Sequence, residues 1–444
     1  MNEKKKWWVV GNSEHHILIF LICTHIAIGC ISLVYTSVFH ENFHIIYDPA
    51  RLSGAVAVVA AFTLVASLFT FARFSFGYFI AYYLYIMVAG YLWINYFTDL
   101  NYDRQWAGLS AAASAIAFFL PAMLLTSPVP QIWTISARAF DRLLIAILVV
   151  ALATIFVAAS YNFRIVDLGN IHEFRNELFS AHIRNELKAP AILNYMVGIT
   201  TSALLPFTFA CFTMRKQYWH ASAVLVLLLL FFPITLSKLS LFTPAWLIFI
   251  ALLSKLFKPR IAVVLSLFFP MLSGLIVIIL FRASGGDFFD LLVFRMFVIP
   301  SNALAVYNDF FSQHPPTYFC QISVLKPLLS CPYRDQLGIV MERAYGFGNF
   351  NASLFATEGI ASVGTAFAPL SVLICGIVIS LGNRISAGLP FGLVMISSAI
   401  LPQVLLNVAL TTAFLTHGVG LLYLLWYITP RAAFEPQPGA ASID

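Results

Sequence analysis

Twelve apolar runs, each long enough to cross a hydrocarbon core as a helix, follow one another along this chain. They lie at about residues 17–39, 52–72, 76–97, 107–126, 143–160, 191–213, 221–237, 239–255, 261–281, 361–381, 387–409 and 411–429. About 20 apolar residues in helical form cover a core roughly 30 Å thick. Inside that core only helices and closed barrels satisfy every backbone polar group, and the short alternating strands of a barrel are absent. Hydrophobic residues make up 61% of the chain and charged residues only 10%, a balance foreign to a soluble domain. The reading is an all-α, polytopic integral membrane protein of about twelve transmembrane helices. The first run is too long for a signal peptide and has no small-residue cleavage site after it. Met1–Lys6 with Trp7 and Trp8 reads as an interfacial anchor.

Basic residues orient the chain, because they collect in short cytoplasmic loops. With the N-terminus inside, the cytoplasmic side holds Lys4, Lys5, Lys6, Arg73, Arg138, Arg142, Arg215, Lys216, Lys255, Lys258, Arg260, Arg384 and Arg431. The short outer loops hold only Arg51, Arg104 and Lys238. Both termini are therefore expected in the cytoplasm, and the net charge of +6 is a topology signal that implies no nucleic acid. The chain divides into helices 1–5 (residues 1–160), a first large outer loop (161–190), helices 6–9 (191–281), a second large outer loop (282–360), and helices 10–12 with a tail (361–444).

The two outer loops hold the remaining basic residues: Arg164, Arg175, Arg184 and Lys188 in the first, and Arg282, Arg295, Lys326, Arg334 and Arg343 in the second. Cations gathered on the unfavoured side imply an anionic ligand there. In the first loop, Asn170 followed by Glu173 starts a helix as a capping box. Phe174, Leu178 and Ala181 then give it a narrow apolar stripe. Arg175 and Arg184 lie nine residues apart, about two and a half turns, so they point to opposite sides and cannot form one clamp. Two readings stand: an amphipathic helix on anionic headgroups, or an arginine reaching inward to a phosphate.

The second loop is long enough for a small folded cap. A helix-like run from Phe288 to Phe297 carries Arg295 and is limited by Pro300. A further helix is expected over 302–311, ending before His314-Pro315-Pro316. Cys320 and Cys331 are candidates for a disulfide in an oxidising compartment; Cys23, Cys30, Cys211 and Cys375 fall inside apolar runs. Guanidinium groups suit pyrophosphate, since their planar fork makes paired charge-assisted hydrogen bonds. Arg282, Arg334 and Arg343 are candidates, with salt bridging to Asp287, Asp290, Asp335 or Glu342 as the alternative. Glu358, His314 and Asp335 are acid–base candidates, although a carboxylate at a helix start also serves as a cap. Lys238 is an ionisable residue among apolar runs, either functional or snorkelling to the interface. No His/Cys/Asp/Glu group has metal-ligand spacing, and neither a P-loop nor a G-x-S-x-G is present.

Local patterns then become informative. They are Ser237-Lys238-Leu239-Ser240 with Pro244, Phe294-Arg295-Met296-Phe297 with Pro300, and Tyr307-Asn308-Asp309-Phe310-Phe311 with His314-Pro315. Further on come Gly348-Asn349-Phe350-Asn351-Ala352 with Glu358-Gly359 and Gly364, and the stretch from Thr411 to Gly418. With the topology, these resemble the Wzy-type polymerases of O-antigen and oligosaccharide repeat units. The arginine-x10-glycine motif of some members occurs in neither long loop. The resemblance implies a GT-C-like fold in the bacterial inner membrane. It implies metal-independent, cofactor-free transfer of a glycan from undecaprenyl pyrophosphate to a sugar hydroxyl of another lipid-linked unit. On it, Arg175, Arg184, Arg282 and Arg295, with Arg334, Arg343 and Lys238, hold pyrophosphate, and Glu358 or His314 orients or deprotonates the acceptor. Tyr307, Tyr318, Tyr333 and Tyr345 stack on sugars. Membrane lipids and a chain-length regulator protein would be partners.

The nearest rival is an O-antigen ligase, which shares the loop plan but passes the glycan to lipid A core or to protein. A histidine late in the large loop would favour it, and His314 lies mid-loop. A polysaccharide or lipid transporter would line several mid-span positions with polar residues and show internal repeats. A non-catalytic assembly protein is the remaining alternative.

Overall fold

The computed structural model describes residues 11–164, 190–281, 286–322, 325, 328–346, 350 and 352–434. Among them no β-strand forms, and an isolated bridge joins Ile45 to Thr98. The described residues hold nine helices long and apolar enough to cross a membrane, or ten when the bent pair Leu410–Thr416 and Val419–Ile428 counts as one. Ser240–Leu256 and Phe391–Asn407 are shorter apolar helices. The fold is that of a polytopic helical membrane protein.

The chain divides into two compact units. The first is Met1–Thr126, Phe257–Asn383 and Pro402–Thr411; the second is Ser127–Leu256, Arg384–Leu401 and Thr412–Asp444. The first unit contains α1 (Gly11–Phe39), α2 (Leu52–Thr63), α3 (Ala66–Phe71), α4 (Phe76–Phe97) and α5 (Arg104–Leu124). The Ser75 hydroxyl accepts from Tyr78 N at 3.1 Å and starts α4, and the Asp103 carboxylate accepts from Trp106 N at 3.0 Å and starts α5.

Helix α4 is enclosed within this unit, so its phenols need partners inside it. Tyr78 donates to Phe69 O at 3.1 Å, Tyr83 pairs with Ser266 at 3.0 Å, and the Tyr82 oxygen lies 2.6 Å from His25 Nδ1. At its start, Gly77 N donates to Asn383 Oδ1 at 2.6 Å, and Asn383 Nδ2 donates to Ala122 O at 2.7 Å. A Cβ on Gly77 would overlap the Ala122 carbonyl oxygen, so glycine is what lets α4 and α5 close there.

In the second unit, α6 (Ala137–Tyr161) packs with α7 (Ile192–Met214) and α8 (Tyr218–Thr235), and α9 (Lys238–Leu256) packs with α8. The π-helical turn Thr200–Leu204 interrupts α7, and Ala203 and Ile199 in that region meet Gly418, whose φ of 73° breaks the helix there. Trp426 Nε1 donates to Ser397 Oγ at 3.0 Å and Trp246 Nε1 to Ala399 O at 2.9 Å, which ties the short helices in.

The segment expected as a small folded cap belongs to the first unit. After α10 (Pro259–Phe281), a π-helical stretch Asp290–Val298 runs straight into α11 (Ile299–Gln313). Pro300 sits at the junction where the π-helical register gives way to α-helix, and the helix continues through it. Residues Ile299 to Phe311 are all buried, largely against α4. Ser301 Oγ donates to Met87 O at 3.0 Å, near the middle of α4. Two further elements complete the unit: α12 (Leu337–Tyr345) and α13 (Phe355–Ser386).

Candidate functional site

Where α4 ends and α5 begins, polar side chains from five segments meet inside the first unit. Asn95 and Tyr91 come from the last turns of α4, and Tyr102 from the turn after it. The Tyr102 hydroxyl donates to Asn95 Oδ1 at 2.9 Å, and Asn95 Nδ2 donates to Arg104 O at 2.7 Å. Asn308 on α11 donates through Nδ2 to the Tyr91 hydroxyl at 3.3 Å and accepts at Oδ1 from Thr365 Oγ1 at 2.8 Å. Thr365 follows Gly364, whose φ of 77° and ψ of 164° interrupt α13. Ser110 Oγ on α5 donates to Thr365 O at 2.5 Å.

Beside Asn308, Asp309 is 9% exposed and accepts two bonds. Asn101 N donates to its Oδ1 at 2.7 Å, and the Tyr345 hydroxyl donates to its Oδ2 at 2.5 Å. Burial pushes the Tyr345 phenol up, and the Asp309 hydrogen bond and charge add to it. Burial also pushes the Tyr102 phenol up, against the lowering influence of Tyr91 and Arg104.

The segment after α11 is held by side chains that bridge short loops. Cys320 and Cys331 are disulfide-bonded across a separation of 11 residues. Gln321 Nε2 donates to Asp335 O at 3.2 Å and reaches Tyr333 O and Cys331 Sγ at 3.5 Å. Thr317 N donates to Ala361 O at 2.7 Å and Tyr318 N to Ser362 O at 3.0 Å, anchoring the segment on the start of α13.

No family model, curated protein or solved structure matches this chain. The site therefore rests on its own geometry, and the residues expected from the sequence divide as follows. Arg175, Arg184 and Arg282 lie outside the described residues, and Lys238 begins α9 with its side chain outside them too. Arg295 lies on the π-helical stretch and is exposed. Arg334 is exposed and makes no ion pair among the described residues. Arg343 pairs with Asp335 at 2.5 Å on an open surface, the salt-bridge alternative for that position; such a pair contributes about 0–1 kcal/mol.

His314 ends α11 with its ring stacked on Phe310, centroids 4.0 Å apart. Its Nδ1 lies 2.9 Å from Phe310 O, a carbonyl that can only accept, so Nδ1 is the donor of that contact. Glu358 was expected just before the tenth span and instead lies within α13, in the π-helical turn Phe355–Ala361, 4% exposed. Its Oε1 accepts from Thr411 N at 2.9 Å and Thr411 Oγ1 at 3.0 Å, and Oε2 accepts from Thr357 Oγ1 at 3.1 Å. That arrangement is a helix cap, here on the start of Leu410–Thr416.

Tyr307 must be corrected as a sugar platform. It is 1% exposed and packs inside the unit near Phe311, its ring tilted against that phenyl. Tyr333 is half-buried and donates to Pro315 O at 2.7 Å, with burial pushing its phenol up, whereas Tyr318 is exposed. Asp309, Asn95 and Tyr102 were missed. The signal for Asp309 was the pair Asn308-Asp309 set between Tyr307 and Phe310-Phe311. Among the described residues no three His, Cys, Asp or Glu side chains come together as metal ligands.

Proposed function

We propose that this chain polymerises lipid-linked oligosaccharide repeat units. It transfers a growing glycan from undecaprenyl pyrophosphate to a sugar hydroxyl of a second lipid-linked unit. The observation that supports it is the seam of Asn95, Tyr102, Asn308, Asp309 and Tyr345 at the end of a bundle of apolar helices. Planar amides, a carboxylate and phenols are the groups that recognise sugar hydroxyls, and the apolar helices beside them suit a polyprenyl chain. Arg334, exposed just past the Cys320–Cys331 disulfide, offers a fork to pyrophosphate, with Arg295 as a further exposed guanidinium of the same unit.

On this reading the chain has twelve spans, both termini in the cytoplasm of a bacterial inner membrane, and a GT-C-like plan. The seam then faces the periplasm, where the disulfide is at home. Transfer forms a bond from the acceptor oxygen to the anomeric carbon and breaks the bond to pyrophosphate. The charge that develops on the leaving group is neutralised by guanidinium groups. Deleting the gene and resolving the surface glycan on a gel tests the proposal. Single-repeat chains support it, whereas accumulated lipid-linked polymer indicates a ligase.

A transporter is the second reading, favoured by one observation. Gly364 interrupts α13, and Leu410–Thr416 meets Val419–Ile428 at 61°; discontinuous helices of this kind line transport sites. Loss of all periplasmic glycan in the deletion strain would select it.

A further inference from the structure

We infer that Asp309 takes the proton of the acceptor hydroxyl, and that the Tyr345 hydroxyl occupies, in this structure, the position which that hydroxyl takes during transfer. The inference rests on the glycan-transfer reading and names its proton acceptor.

The carboxylates of this end of the first unit are engaged in different ways. Asp48 pairs with Arg51 at 3.3 Å, Asp99 with His44 at 2.9 Å and Asp335 with Arg343 at 2.5 Å. Asp103 caps α5. Glu358 has both oxygens taken by donors of its own and neighbouring helices. Asp309, like Asp103 and Glu358, has no cation within ion-pairing distance among the described residues, and it differs from them in holding a backbone amide on one oxygen and a phenol O–H on the other. Oδ1 is fixed by the Asn101 amide at 2.7 Å, which sets the direction of the carboxylate. Oδ2 holds an O–H group at 2.5 Å. A sugar hydroxyl donates through the same O–H geometry, so Oδ2 is shaped for the proton that transfer must remove.

Tyr345 is placed to leave. It is the last residue of α12, a helix whose buried residues are only Gly338 and Met341, while Arg343 and Ala344 are exposed. Gly346 follows with φ 73°, a backbone conformation open to glycine at no steric cost. The Tyr345 hydroxyl also lies 3.5 Å from Val306 O, at the outer limit of a hydrogen bond. Moving the end of α12 thus exposes Oδ2 without disturbing the Asn101 bond.

In the step itself, the acceptor O–H proton passes to Asp309 Oδ2 while the acceptor oxygen bonds to the anomeric carbon. The bond from that carbon to pyrophosphate breaks, and its electron pair leaves with undecaprenyl pyrophosphate. The proton then passes to water and the Tyr345 hydroxyl returns to Oδ2.

The test uses full-length protein in detergent and the lipid-linked units that accumulate in the deletion strain. Asp309→Asn should lower kcat/KM by about a hundredfold or more, the range of general-base catalysis, with Asp309→Glu recovering part of it. Tyr345→Phe removes the competing hydroxyl and should raise kcat/KM about three- to tenfold, chiefly through a lower KM for the acceptor. Formation of the Cys320–Cys331 disulfide on non-reducing gels reports folding of each variant. Should Tyr345→Phe lose activity in step with Asp309→Asn, the pair is a structural staple and the inference fails. Asp309→Asn at wild-type rates also overturns it and leaves the polymerase reading intact. If wild-type protein does not lengthen the accumulated units, the polymerase reading itself falls.

Discussion

Thr411 gives both its backbone N–H, at 2.9 Å, and its hydroxyl, at 3.0 Å, to the same oxygen of Glu358. A carboxylate 53 residues away in sequence thereby supplies the acceptor that the start of Leu410–Thr416 lacks in its own helix. The Glu358 carbonyl in turn accepts from Ser371 Oγ at 2.6 Å, so the π-helical turn is held at both its backbone and its side chain.

Glu358→Ala removes a buried charge acceptor and strands its donors. Its cost should be about 1–3 kcal/mol, the range for buried donors left without an acceptor. Thr411→Ala takes away one hydroxyl donor and should cost about 1–2 kcal/mol. Thermal melts of the purified variants report both. Full stability in Glu358→Ala, with activity alone abolished, would show that the residue serves chemistry and not the cap.

Gly29 and Gly90 face the ring of Phe297 from two different helices. A Cβ on Gly29 would lie 2.7 Å from the ring tip and meet no other atom so closely, whereas one on Gly90 would also meet Ser301 Oγ at 2.5 Å. Gly29→Ala should therefore cost about 1–3 kcal/mol through overpacking. Phe297→Leu should recover part of that loss, because it withdraws the clashing atoms. Gly90→Ala should be rescued less, since Ser301 remains. A double-mutant cycle measures the coupling, and strict additivity at Gly29 would contradict the wedge.

The helices were legible because apolar runs of span length admit one backbone solution in a bilayer. The positions of Glu358 and Tyr307 were not. The π-helical turn before α13 extends that helix past the point where apolar periodicity starts, which draws Glu358 inside. Tyr307 and Asp309 are two positions apart on one helix and point in different directions, yet both are buried, and only the packing around α11 decides what each one meets. Asp309 owes its role to Asn101, 208 residues earlier, and to Tyr345, 36 residues later. No local spacing encodes such a meeting. The cysteine pair could be read because both residues lie in one loop outside the apolar runs.

Cys320 and Cys331 close a loop of about a dozen residues. Cross-links of that size remove chain entropy from the unfolded state, contributing about 3 kcal/mol. Replacing both cysteines by serine should lower the stability of the segment by about 2–4 kcal/mol. Limited proteolysis with and without reductant should show new cleavage between residues 320 and 331 in reduced protein. Equal protease resistance in both states would mean that Gln321 and its three acceptors hold the loop unaided.

The phenol of Tyr345 gives the protein an alkaline weakness. Burial and the negative charge of Asp309 push it above the ordinary tyrosine value, which is about 10. Below that value the phenol is protonated in folded and unfolded chains alike, and its contribution to stability is complete. Above about 10 the unfolded chain releases this proton first while the folded chain retains it, so stability falls as pH rises toward the folded value. Tyr345→Phe cannot ionise and lacks the bond to Asp309. Wild-type protein should therefore melt higher than Tyr345→Phe at pH 8, and the gap should narrow as pH climbs past about 10. Melting curves of the two proteins side by side, from pH 8 to pH 11, measure it. A gap that stays constant across that interval would show that Tyr345 ionises as freely in the folded protein as in the unfolded chain.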